Sequence, residues 1–134
     1  MIDILDEVFA IVAEAAQNVA PEVTVQDDYI DAVSSFPVVT VAEINNSTSA
    51  HTIGSRPKEN YAAIAFKVEV FSNKVDGKRS ECRRIMSAIS DALILRNFNR
   101  ISMQPTPNYR DATVYRLTAR FEVVSDSNKQ TYRR

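Results

Sequence analysis

The stretch Tyr61–Phe71, YAAIAFKVEVF, decides how this chain is read. Ala62, Ile64, Phe66, Val68 and Val70 fall on one face by the two-residue period of a pleated strand, and β-branched and aromatic residues fit that surface. Long and apolar, the segment is the candidate central strand of a sheet. On its C-terminal side the turn SNKVDGK leads into a helix predicted over Arg79–Arg96. Cys82, Ile85, Met86, Ile89 and Leu93 form its buried stripe, while Arg83 and Arg84 sit off it. Two strands follow, Asn99–Thr106 and Ala112–Val124, joined by PNYRD, whose Pro, Asn and Asp suit a reversal. In the last strand Tyr115, Leu117, Ala119, Phe121 and Val123 take one face, and Arg116, Thr118, Arg120 and Glu122 the other. One side packs and the other is wet.

On the N-terminal side, Asn45–Asn60 reads NNSTSAHTIGSRPKEN, polar and turn-rich, which predicts a projecting loop. Before it, Phe36–Ile44 (FPVVTVAEI) is a strand, with Pro37 at its start or on an edge. Val23 and Val25 alternate with Thr24 and Gln26 in a shorter strand. From Ile2 to Ala20, apolar residues recur at three- and four-residue intervals in an amphipathic helix that Pro21 ends. Its first turn is acidic, which suits the positive end of the helix dipole.

The order helix, strands, helix, strands predicts an α+β domain spanning 1–134, with an antiparallel or mixed sheet of four to five strands and both helices on one face. The loop 45–60 and the segment 125–134 are expected to project from it.

With 134 residues, 45% of them apolar, the chain has the length and composition of one core-forming domain. Its apolar runs are too short to span a bilayer, and Asp3, Asp6 and Glu7 stand where a signal peptide would carry positive charge, which predicts a cytosolic protein without membrane contact. Cys82 is alone, so it forms no intrachain disulfide and is expected to be a buried thiol. The net charge is −1, but its distribution is uneven. Acids alone occupy Met1–Asp31, among them Asp27, Asp28 and Asp31, whereas arginines dominate from Arg96 onward. Solvated faces explain such runs, and so does head-to-tail complementarity between copies.

Catalytic chemistry finds little to work with. His51 is the single histidine and sits in a polar loop with no ligand partner at useful spacing. Gly54 and Gly77 are the only glycines, too few for a phosphate-cradling loop. Asp27, Asp28 and Asp31 lack the glycine and closing glutamate of a calcium loop. Neither cofactor nor metal is expected. Lys78, Arg79, Arg83 and Arg84 form a basic patch at a helix start, where the dipole disfavours them; they are either solvated or compensated by an anionic partner.

Three stretches, ENYAAIAFKVEVFSN, GKRSECRRIMSAISDAL and RNFNRISMQPTPNYRDATVYRLTARFEVVSD with the closing TYRR, carry a family likeness. Through them the chain resembles the phage tail terminator (tail completion, or minor capsid) proteins of siphophage head-to-tail modules, whose relatives include the lambda-type terminators. The resemblance implies a structural virion protein, not an enzyme. It would be a hexameric ring on the last ring of the tail tube, stopping polymerisation and meeting the head-completion (stopper) protein, with DNA only in transit through the lumen. Such a ring needs heterologous contacts. The residues proposed for them are the acids Asp27, Asp28 and Asp31 against arginines at Arg83, Arg84, Arg116 and Arg120. His51, Arg56 and Lys58 in the loop and Tyr132 and Arg133 in the tail serve as arms. The alternatives are another neck or connector protein, a nucleic-acid-binding module using Arg116 and Arg120 with the arginines of the second helix but without interleaved aromatic platforms, and, behind these, a small-molecule enzyme.

Overall fold

The computed structural model describes residues 1–27, 35–48, 60–107 and 111–133. Its elements are α1 (Leu5–Val19), β1 (Thr24–Asp27), β2 (Val38–Thr48), β3 (Tyr61–Ser72), α2 (Lys78–Ile94), β4 (Asn99–Pro105), β5 (Tyr115–Asp126) and β6 (Thr131–Tyr132). The sheet runs β1-β2-β3-β5-β4, with β6 paired to β5. It is mixed: β1 lies parallel to β2 and every other pairing is antiparallel. This is the α+β fold expected from the sequence, with six strands.

β3 lies at the centre, as its composition requires, with β2 along one side and β5 along the other. Ile64, Phe66, Val68 and Val70 of β3 and Leu117, Ala119, Phe121 and Val123 of β5 enter one core with Val39 and Val41 of β2. Both helices cover this face. α1 contributes Val8, Val12 and Ala16, and α2 contributes Cys82, Ile85, Met86, Ile89 and Leu93. Each fully buried Val, Ile, Leu or Phe side chain stabilises the fold by roughly 1.5–3 kcal/mol. α1 is antiparallel to α2: Ile4 and Glu7 border Leu95 and Arg96 at one end, and Asn18 and Val19 border Ala88 further along. The exposed Arg79, Arg83 and Arg84 lie in the first two turns of α2.

Two segments differ from their compositional reading. Asn45–Thr48 is not loop but the end of β2, pairing with Ala62–Ala65 across a bulge between Glu43 and Asn45. The asparagines and serine of this stretch disfavour a strand locally, but the ladder offered by β3 satisfies their backbone. The rest of the loop, with His51, Arg56 and Lys58, lies outside the described residues. At the other end Ser125 and Asp126 belong to β5, and the chain turns at Ser127–Gln130 so that β6 pairs back on Val124 and Ser125. The Asp126 carboxylate accepts the amides of Asn128 and Gln130 at 2.9 Å and the Tyr132 hydroxyl at 3.0 Å. Ser125–Asp126 and Thr131–Tyr132 are thus strand residues joined by a hydrogen-bonded turn, where the sequence reading predicts a projecting arm.

Candidate interaction surfaces

The sheet face turned away from the helices has no element packed over it among the described residues. Its side chains are set by the β2-β3-β5-β4 register, which places Thr40, Glu69, Thr118 and Gln104 in one row. Glu69, 3% exposed, is the hub. It accepts a 2.5 Å charge-assisted bond from Arg116 Nε and a 2.8 Å bond from the Thr118 hydroxyl, and Lys67 Nζ stands 3.6 Å away. The Thr106 hydroxyl joins Thr118 at 2.7 Å, and the Arg116 guanidinium lies 5.5 Å from the centre of the Phe71 ring. Burial pushes the Glu69 carboxyl up, but the bonds from Arg116 and Thr118 and the charges of Arg116 and Lys67 outweigh it and hold the group below the usual carboxylate range.

This network changes the reading of the final strand. Arg116 is not a free cation for nucleic acid or a neighbouring subunit; it neutralises a carboxylate 47 residues away in sequence. Arg120 remains exposed, opposite Lys67 in the ladder. The nucleic-acid reading, which used both with the α2 arginines, loses Arg116 as a free cation.

The helical side carries a groove of about 500 Å³ between the start of α1 and the end of α2, with Ile4, Val8 and Phe98 among its walls. Lys129 Nζ reaches across to Glu7 at 2.5 Å, so one acid of the first helix finds its cation within the chain. The hydrogen bond to Lys129 lowers the Glu7 carboxyl from its ordinary value, and the same bond raises Lys129. Asn97 Nδ2 donates to the Thr131 carbonyl and the Thr131 hydroxyl to the Arg96 carbonyl, fastening β6 to the end of α2. Next to this groove Leu95 is 85% exposed, and a second groove of about 340 Å³ continues from it between the helices.

Among the residues expected at an interface, Asp27 ends β1 and is exposed, Arg83 and Arg84 are exposed in the first half of α2, and Tyr132 stacks edge-on with Tyr61 at 5.9 Å. Arg133 is exposed beside it. Asp28 and Asp31 lie outside the described residues. Sequence reasoning overlooked Arg100, whose Nη1 donates to Ser90 Oγ at 2.9 Å and ties β4 to α2. Ser90 lies seven residues after Arg83 and eleven after Arg79, spacings that return to the same helix face and could have signalled the grouping. Cys82 is fully buried; burial above all, with the Glu81 charge, pushes its thiol up to about 12. No group of three or more His, Cys, Asp or Glu that could hold a metal occurs among the described residues.

No family model matches the chain, and no curated protein matches it. Among solved structures it is similar to the sheath/tube terminator, in the extended state, of the extracellular contractile injection system PVC, at 10% identity and a TM-score of 0.36. That likeness covers 93% of this chain, which spans 59% of the terminator's length.

Proposed function

We propose that this chain is a structural assembly protein of the tail terminator kind: copies form a ring that caps a tail tube, ends its polymerisation and offers the far side to a head-completion protein. The observation that carries this reading is the sheet itself. It is covered by helices on one face only, and among the described residues β1 and β4 are its outermost strands, each with a strand partner on one side. A chain that ends a polymer must present one surface to the tube and different surfaces to its own copies, and this layout leaves surfaces of both sorts. The three sequence stretches that resemble the terminators fall on β3, α2 and the β4–β5 pair, a contiguous run of elements along the chain. The wider assignment to a virion neck, the hexameric count and the tube and stopper partners rest on that resemblance.

The test is to polymerise a tail tube protein with and without this chain. Terminator activity shortens the tubes as the added protein increases and places a ring of density at one tube end in electron micrographs. Unchanged tube lengths with bare ends would refute the proposal.

A further inference from the structure

We infer that copies of this chain join edge to edge, the β4 edge and α2 flank of one against the β1 edge and α1 flank of the next, so that the sheet continues between subunits. The inference rests on the assembly reading above and names its contact.

Strand direction permits it. From β1 to β2 the direction is kept, and each of the three further steps, to β3, β5 and β4, reverses it. β4 therefore runs opposite to β1. Setting two copies side by side with their helices on the same face brings β4 and the next β1 together as an antiparallel pair. The lengths agree as well. Ile101 is skipped in the ladder, which leaves Ser102–Pro105 as the regular part of the β4 edge, facing the four residues of β1. Ile101, 53% exposed, is an apolar contact beside the seam.

Charge selects which edges meet. Arg79, Arg83 and Arg100 are exposed along the β4 side: Arg100 is bonded to Ser90, and the two α2 arginines share the Ser90 face. On the other side the exposed charges at the β1 edge are acidic among the described residues. Glu22 lies in the turn entering β1 and Asp27 ends that strand. The ends correspond too. Thr24 aligns with Val38 and Phe71, which places Glu22 at the end of the sheet where β3 passes the chain to Arg79 and Arg83. Pairing β4 with another β4, or β1 with another β1, would juxtapose like charges, which is unfavourable. The favoured contact is therefore heterologous, the kind that closes into rings or runs on as filaments.

The experiment uses two single-substitution variants, Gln26→Cys on β1 and Gln104→Cys on β4, both at exposed positions, with a short thiol-to-thiol cross-linker. Native Cys82 is buried and remains silent. The mixture of variants is expected to yield cross-linked dimers that neither variant yields alone. Arg79→Glu with Arg83→Glu should abolish them in a protein with an unchanged circular dichroism spectrum, and Glu22→Lys with Asp27→Lys on the other partner should restore them. Dimers from Gln104→Cys alone, or none from the mixture, would overturn the inference. A discrete oligomer by sedimentation without mixed dimers sinks the edge contact and leaves the terminator reading standing. Mixed dimers from a protein that leaves tube lengths unchanged do the reverse.

Discussion

Replacing Glu69 by alanine should destabilise this fold through the sheet face turned away from the helices. Glu69 is 3% exposed and accepts from Arg116 and Thr118 while facing Lys67. Removing one partner of a fully buried ion pair costs about 3–5 kcal/mol because the other charge is left unpaired. Here the cations are 20% and 32% exposed, so water can reclaim part of their solvation and the expected loss falls to about 2–3 kcal/mol. Thr118 keeps its bond to Thr106. For a domain of this size roughly 3–4 °C of melting temperature goes with each kcal/mol, so Glu69→Ala should melt about 6–12 °C below the wild type at neutral pH. Glu69→Gln keeps an acceptor oxygen and should lose about half as much. The folded Glu69 carboxyl titrates below its unfolded value, so its contribution is complete above the ordinary carboxylate range and is lost as pH falls through the lowered folded value. The wild type and Glu69→Gln melting curves should therefore converge on acidification. Thermal unfolding followed by circular dichroism across pH measures both effects. A Glu69→Ala shift under about 2 °C, or wild-type and Glu69→Gln curves that stay parallel in acid, would refute the reasoning.

Three further outcomes are expected. Amides of Asp126 and Tyr132 should exchange with deuterium more slowly than that of Ser127, because β6 and its turn are hydrogen-bonded; equal fast exchange from Asp126 onward would restore the projecting arm. Native Cys82 should resist a thiol reagent until the protein unfolds, being fully buried with its thiol pushed up to about 12, and Cys82→Ala should cost about 1–2 kcal/mol in denaturant titration. Leu95→Ser should change stability by no more than about 0.5 kcal/mol because the side chain is 85% exposed. If the interhelical groove takes part in assembly, the same variant should reduce incorporation into tube-end rings, measured by pelleting with tubes.

Much of this fold was legible in the chain. β3, α2 and β5 were each placed to within three residues, because alternation and the three-to-four spacing reflect where Cβ atoms point from a strand or helix, a local property that neighbours seldom overturn. The lone thiol at Cys82 was recognised as buried from the same stripe. What the residues could not disclose was which partner each strand and charge would find. Thr48 became strand because Ala62 stands opposite it, and Thr131 because Ser125 does; neither segment has a pattern of its own. Arg116 looked like an open cation on a wet face, yet Glu69 closes on it, and Glu7 is met by Lys129 from 122 residues away. Alternation tells which face a side chain occupies, whereas its partner depends on strand order and register, which are set only when the whole sheet condenses onto the two helices.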